Sequence, residues 1–319
     1  MPPARYAFLG PAGTFAHAAA RQLADTDRLA AAELVPSGSV TQAIDALRAG
    51  DVDGAVVPLE NSVEGAVPAT LDALTAGRPL VIVAETFLPV VFQLLARPGT
   101  PIEAVRTVAT HPHAEAQVRR FLLTELPAAT IALVDSTAAG AEAVAAGRFD
   151  AAVAPAVSAE LYSLDTLAAD IADQPGAVTR FVLLTRPQPA PPPTGADRTT
   201  LVSYLRQNHP GALLQLLTEF ATRGVNLTRI ESRPTKGQLG EYCFSIDCEG
   251  HVADARIADT LAALHRVCAS VRYLGSYPRA DRTPPSPVLP EADDAAFREA
   301  QRWLAAIRES GDPAGPVIG

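Results

Sequence analysis

Short apolar runs alternate with helix-period segments through the first 186 residues. Tyr6-Ala7-Phe8-Leu9 reads as a strand, and Thr14 to Ala24 as a helix with Thr14 as its N-cap. Leu34-Val35-Pro36 is a short strand, and Ser39 caps a helix running to Ala49. Ala55 to Leu59 is a strand and Val67 to Thr75 a helix. This β-α-β-α-β-α series predicts a parallel sheet. Leu80 to Ala96 holds two extended runs broken at Pro89. Beyond it the pattern predicts strands over Val105–Ala109, Ile131–Val134, Ala151–Ala154 and Phe181–Thr185, and helices over His113–Leu123 and Ser136–Ala146. The expected arrangement is two α/β lobes, about 1–77 plus 178–186 and 78–177, with the final strand returning to the first lobe.

The pattern changes after a Pro-rich stretch. Residues 187–197 read as a linker, because successive proline rings favour extended polyproline conformation. From 198 to 280 the order is β-α-β-β-α-β: strands Thr199–Leu205, Leu227–Arg233, Glu241–Asp247 and Val271–Gly275, with helices in Gly211–Arg223 and Val252–Val267. That order predicts a ferredoxin-like sandwich with an antiparallel sheet. Residues 281–319 form a second Pro-rich segment and an amphipathic helix over Asp293–Glu309 carrying Trp303.

Composition narrows the chemistry. The chain has 319 residues, 48% of them hydrophobic, and no run of 18 apolar residues, so no membrane span is expected. The N-terminus enters a strand without an apolar signal region, which predicts a cytoplasmic location. The net charge is −9, and no basic patch is dense enough to suggest nucleic acid. Lys236 is the single lysine, so the catalytic region has none for a Schiff base or a phosphate loop. Cys243, Cys248 and Cys268 all lie late, match no metal spacing and are expected as reduced core residues.

Four segments carry candidate chemistry. In VVPLENSVEGAV, residues 56–67, a buried strand end delivers Glu60, Asn61 and Ser62 in a row. They either line a ligand crevice or cap the next helix. Gly10-Pro11-Ala12-Gly13-Thr14 opens a helix whose amides suit an anion, or is a plain tight turn. Thr179 beside Arg180 offers a proton donor near a bound carboxylate, or is ordinary strand-forming sequence. His111 and His113 flank Pro112 at a strand-to-helix turn and suit capping or crevice-lining better than a metal. These segments fall at strand ends or lead into a strand, which describes a small-anion site working by proton transfer, with neither metal nor organic cofactor.

GPAGTF at 10–15, VPLENSVEGAV at 57–67 and TRF at 179–181 resemble the prephenate dehydratase family. Asn208-His209-Pro210-Gly211-Ala212-Leu213 and Glu231-Ser232-Arg233-Pro234 resemble its phenylalanine-binding ACT domain. The resemblance covers about residues 4–280 and implies a two-lobed, periplasmic-binding-protein-like catalytic region followed by the ACT sandwich. It implies conversion of prephenate to phenylpyruvate, water and carbon dioxide, with feedback by phenylalanine in a homodimer or homotetramer. It makes Thr179 the acid, Arg180 an anion-binding or structural partner, and Asn61 and Ser62 orienting groups. Glu60 then orients a neighbour or serves as a structural carboxylate. Substrate contacts are implied at Gly13, Thr14, Phe15, His111 and Phe181, and effector contacts at Asn208, Gly211, Ala212, Leu213, Leu227, Glu231 and Ser232. Two positions depart from the family pattern. Ala16 stands where a small hydroxyl residue is usual and Ala177 where asparagine is usual, and each removes a possible hydrogen bond. The rival readings are an arogenate dehydratase and a non-catalytic small-anion-binding regulatory protein.

Overall fold

The computed structural model describes residues 3–25, 32–235 and 242–310. The chain divides into two compact units, 1–80 with 85–186 and 187–319 with 81–84.

The first unit is two α/β lobes. Its first elements are β1 (Arg5–Leu9), α1 (Phe15–Ala24), β2 (Glu33–Ser37), α2 (Val40–Ala49), β3 (Gly54–Asn61), β4 (Gly65–Ala66), α3 (Pro68–Thr75) and β5 (Val81–Pro89), whose residues 81–84 group with the second unit. Next come β6 (Gln93–Ala96), β7 (Thr107–Thr110), α4 (Pro112–Gln117), α5 (Arg119–Glu125), β8 (Thr130–Leu133), α6 (Thr137–Ala145), β9 (Ala151–Ala154), α7 (Ala156–Tyr162), β10 (Asp165–Ala168) and β11 (Val178–Thr185). The first sheet runs β2-β1-β3-β11-β5, and the second β10-β6-β9-β7-β8. β1 pairs parallel with both β2 and β3, as the alternation predicts. β11 does return to the first sheet, but antiparallel to β3. In the second sheet β6 runs antiparallel to both of its neighbours, β9 and β10. Each sheet is therefore mixed rather than wholly parallel.

The helix starts follow from side chains. Thr14, Ser39 and Ser136 each accept a backbone N–H of the first turn of α1, α2 and α6. Apolar spacing then seats each helix: Ala16, Ala19, Ala20 and Leu23 are the buried face of α1. The single helix expected over His113–Leu123 is instead two, α4 and α5, broken at Val118. Asp173 satisfies the break: its N–H donates to the Gln117 carbonyl and its carboxylate accepts the Arg120 N–H at 3.0 Å. Helical spacing cannot reveal a break whose loose backbone groups are satisfied by a residue more than fifty positions away. Elements α7, β10 and β4 are too short for periodicity to register.

The second unit continues with β12 (Asp197–Tyr204), α8 (Ala212–Ala221), β13 (Leu227–Pro234), β14 (Tyr242–Glu249), α9 (Ala255–Val267), β15 (Ser270–Pro278) and α10 (Asp294–Ser310). The sheet order β13-β14-β12-β15 with antiparallel pairings is the ferredoxin-like order expected from the element sequence. Its core includes Leu201, Leu216, Phe220, Ile246, Ile257 and Leu264. Cys243, Cys248 and Cys268 are buried free thiols, and burial pushes Cys268 up and Cys248 above the ordinary thiol range. β12 begins at Asp197, a residue read from sequence as linker: its carboxylate accepts the Thr194 and Gly195 amides and so closes the turn that starts the strand. β14 begins at Tyr242; Glu241 and Lys236, named on sequence, lie outside the described residues. No helix among the described residues is long and apolar enough to cross a membrane.

Candidate active site

A cavity of 610 Å³ lies among the loops at the strand ends of the two lobes. The first lobe contributes Leu9, Gly10, Pro11 and Thr14 after β1, Gly38 after β2, and Pro58, Asn61, Thr179 and Phe181 from the β3–β11 pair. The second contributes Phe92, the α4 residues His113 and Gln117 with its cap His111, and Asp135 to Thr137 at the start of α6. Phe15 packs edge-on against Phe92, with ring centroids 5.4 Å apart.

The centre of the wall is a hydrogen-bonded pair. The register of β3 and β11 sets Thr179 opposite Asn61. Asn61 Nδ2 donates to Thr179 Oγ1 at 2.8 Å. The orientation of the amide is fixed from its other end, because Asn61 Oδ1 accepts the Val63 and Glu64 amides at 2.8 and 3.0 Å. Thr179 Oγ1 therefore already accepts one bond, and its own proton is left to be given to something in the cavity. Thr179 is buried, 9% exposed. The turn held by Asn61 Oδ1 and the short β4 answers the helix-cap alternative: α3 is capped by Val67, with no side-chain bond from Asn61 or Ser62.

The neighbouring residues have other partners. Arg180 is buried, with Nε donating to Glu85 Oε2 at 2.7 Å and Nη1 to Glu60 Oε1 at 3.0 Å. The pairing of β11 with β3 and its place beside β5 bring one carboxylate from each side. Neither Arg180 nor Glu60 lines the cavity. Ser62 Oγ accepts the Val178 N–H at 2.9 Å and so ties β3 to the entry of β11. Gly13, with φ +92°, presents its carbonyl to Ser158 Oγ at 2.7 Å and its N–H to His17 Nδ1 at 3.1 Å. A side chain there would press on Ser158, Ala138 and Tyr162 of the second lobe, so the glycine lets the lobes meet. The Thr14 hydroxyl is engaged as the α1 cap, donating to Leu9 or Pro11 carbonyls. His111 likewise caps α4, and desolvation holds its pKa below the usual histidine value. Among the described residues no group of three or more His, Cys, Asp or Glu side chains could hold a metal ion.

The family model for prephenate dehydratase matches residues 6–189, and that for the ACT domain residues 200–266. The chain belongs to the prephenate dehydratase family. A prephenate dehydratase of Amycolatopsis methanolica is 52% identical over 306 residues, which is 95% of this chain and 98% of that one. The crystal structure of the prephenate dehydratase of Arthrobacter aurescens in complex with L-Phe superposes with a TM-score of 0.87 at 48% identity, covering 96% of this chain and 100% of that one. A structure described as GqqA, a novel type of quorum quenching acylase, superposes with a TM-score of 0.76 at 34% identity over 89% of this chain and 98% of that one.

Sequence reasoning within the prephenate dehydratase framework passed over several wall residues. Glu64 Oε1 accepts from Gln117 Nε2 at 3.0 Å, and Glu64 Oε2 stands 3.6 Å from His113 Nδ1, so one side chain of the first lobe meets two of α4. Asp135 and Thr137 flank the Ser136 cap, and the cap signal itself was the clue that a helix start faces the cavity. Phe92 had no signal beyond an apolar strand position. Ala16, one of the two departures, lines the cavity with a methyl group, whereas Ala177 is buried in the second-lobe core.

In the second unit, Gly211 (φ +88°) precedes Ala212, the first residue of α8, and Leu213 is 39% exposed. A second cavity, of 640 Å³, is lined by Leu205–Gln207, His209, Ala212, Gln215, Leu216 and Val267–Ala269. Of the seven expected effector residues only Ala212 lines it. Asn208 sits in the same loop, and Leu227 starts β13 and packs on the core. Glu231 and Ser232 lie on β13, the sheet edge. The register sets Ser232 opposite Phe244 and Phe244 opposite Ser203, so Ser232 is two strand spacings, ~10 Å, from the strand that leads into the loop.

Proposed function

We propose that the chain catalyses the decarboxylating dehydration of prephenate to phenylpyruvate, with Thr179 as the proton donor. The observation that carries this is the Asn61–Thr179 bond, which orients a buried hydroxyl on the wall of an apolar cavity. Prephenate holds a ring hydroxyl opposite a ring carboxylate. The carbon–carbon bond to that carboxylate breaks, its electrons complete the aromatic ring, and the carbon–oxygen bond to the hydroxyl breaks on the other side. Thr179 gives its proton to the departing oxygen, which leaves as water; carbon dioxide departs, and solvent restores the threonine proton. Aromatisation supplies the driving force, so the protein must hold the dianion in one pose and supply one proton. Among the described residues the cavity wall contains neither lysine nor arginine. Its anion-binding capacity comes from the first-turn amides of α1 and α6 and from His111 and His113. Phe15, Phe92 and Phe181 pack the ring faces. Incubating the protein with prephenate and recording phenylpyruvate absorbance tests the reading; an unchanged spectrum at micromolar enzyme sinks it.

The second unit is proposed to bind phenylalanine between two copies of the chain. Asn208 and the α8 amides at Gly211–Leu213 take the polar end of the amino acid. Glu231 and Ser232 of a second copy close the site, since within one chain they stand ~10 Å away. β13 is an open edge whose residues alternate between half-buried and exposed, with Ile230 42% exposed, a surface that a second copy would cover. Calorimetry on the intact protein is expected to show saturable phenylalanine binding coupled to activity by about 1–3 kcal/mol. No binding heat at millimolar phenylalanine would defeat the regulatory reading and leave the catalytic one standing.

A further inference from the structure

The last helix carries an apolar stripe that the described residues leave largely uncovered. α10 is 17 residues long, about 25 Å at the helical rise. Ala296, Phe297, Ala300, Trp303, Leu304 and Ile307 fall on one face of it. Written as a heptad, Phe297 and Leu304 are a positions, Ala300 and Ile307 d positions, and Ala296 and Trp303 g positions. The b, c and f positions hold Arg298, Glu299, Arg302, Glu309 and alanines. The start of the helix is anchored within its own unit. Asp293 Oδ1 accepts the Ala296 N–H at 2.7 Å, and Asp294 Oδ1 accepts the N–H of Arg256 in α9 at 3.1 Å. Ala296 and Phe297 are half-buried there, where α10 packs on α9. Beyond Phe297 the stripe goes on but its cover ends: Ala300 is exposed, Trp303 is 46% exposed and Leu304 41%.

The charges beside the stripe select what covers it. The e positions are Asp294 in the first turn, Gln301 in the middle and Arg308 in the last turn: acid, neutral amide and base. In two antiparallel α10 helices, Phe297 layers with Ile307 of the other and Ala300 with Leu304, a small residue against a large one. The e positions then face each other. Asp294 meets Arg308 at both ends, and Gln301 meets its own copy at the centre. Parallel helices would instead bring Asp294 level with Asp294 and Arg308 level with Arg308, like charge beside like. Asp294 Oδ2 already pairs with Arg298 at 2.6 Å, and its carboxylate has lone pairs for a second guanidinium.

We propose that α10 is a self-association surface, pairing antiparallel with the α10 of a second copy of this chain and closing Trp303 and Leu304 from water. The contact is separate from the β13 edge, because α9, on which α10 rests, packs against β15 at the opposite side of the sheet. It therefore stands whether or not phenylalanine binds. Two helices of this length make a contact below the ~1,200 Å² of a standard interface, so association is expected in the micromolar range.

The test is analytical ultracentrifugation of the full chain across the micromolar range, with the emission of Trp303, the single tryptophan, recorded in parallel. The parent's mass is expected to double with concentration while the emission moves to the blue. The double variant Leu304→Asp with Ile307→Asp, with parent-like circular dichroism, is expected to keep the lower mass throughout. A double variant that matches the parent's mass at every concentration overturns the proposal, and so does a parent whose emission is already blue at its lowest mass, since the stripe is then covered within one chain. Arg308→Glu keeps the stripe and sets acid against Asp294. It is expected to raise the dissociation constant about fivefold at low salt and to match the parent in molar salt; a parent-like constant at low salt overturns the antiparallel pairing. Cross-linking gives an independent reading, because Cys243, Cys248 and Cys268 are buried. Gln301→Cys is expected to yield a covalent pair with a short bismaleimide, and Ala305→Cys, on the opposite face, is not. Equal yields from the two variants overturn the proposal.

Discussion

Thr179→Ala is expected to lower kcat by about 10²–10⁴ and to leave KM within a fewfold of the parent. The hydroxyl lines the cavity with its hydrogen-bonding arranged for donation. Asn61 Nδ2 fills an acceptor position on Oγ1 at 2.8 Å, and the amide cannot turn round because its oxygen holds two backbone N–H groups. Donation into Oγ1 also stabilises the alkoxide that develops as the proton leaves. Threonine is a weak acid, so much of the rate must come from holding the departing oxygen against it, and alanine abolishes both effects. Serine at 179 restores the hydroxyl and is expected to recover most of the rate. The measurement is the initial rate of phenylpyruvate formation, with circular dichroism confirming the fold. An alanine variant turning over like the parent would reduce Thr179 to a strand-forming residue.

Arg180→Met is expected to cost about 3–5 kcal/mol of stability. The guanidinium side chain is 2% exposed and bridges Glu85, whose side chain is fully buried, and Glu60, which is about one-third exposed. Removing it leaves two carboxylates facing each other, one with no route to water. Methionine has nearly the same length, so the loss reads the charge pairing and not a cavity. Urea unfolding should show a lowered midpoint with an unchanged slope. The double variant Arg180→Met with Glu85→Gln should recover part of the loss, because it removes the charge of the more deeply buried of the two carboxylates. If Arg180→Met unfolds at the parent's midpoint, the triad contributes no net stability. Lysine is a poor replacement, since it lacks the planar fork that reaches a carboxylate on either side.

The placement of these residues explains which of them could be read from the chain. The strands and helices of both units follow from local signals: apolar alternation, the caps Thr14, Ser39 and Ser136, and the Pro-rich break after 186. The β-α-β-β-α-β order led directly to the ferredoxin-like sheet, because that order leaves few ways to bury both helices on one face. The loops at the cavity were legible for the same reason: Asn61, Thr14, His111 and Thr179 all end or begin elements whose boundaries are set by their neighbours in sequence. The motifs shared with prephenate dehydratases added the chemistry.

What each polar side chain faces was decided by tertiary structure alone. Thr179 and Asn61 are 118 positions apart, and Arg180 and Glu85 95, so no local pattern could say which would bond to which. Antiparallel pairing of β11 with β3 sets Thr179 on the cavity wall and turns its neighbour Arg180 away to pair with Glu60 and Glu85. The same pairing makes Ser62 a tie between strands, while Asp173 divides an apparently continuous helix in two. Local sequence determines elements because propensity, capping and periodicity act over a turn or a strand length. Partners are determined by strand order and register, which arise only when distant segments compete to bury the same surface, and a one-residue change in register would exchange the roles of Thr179 and Arg180.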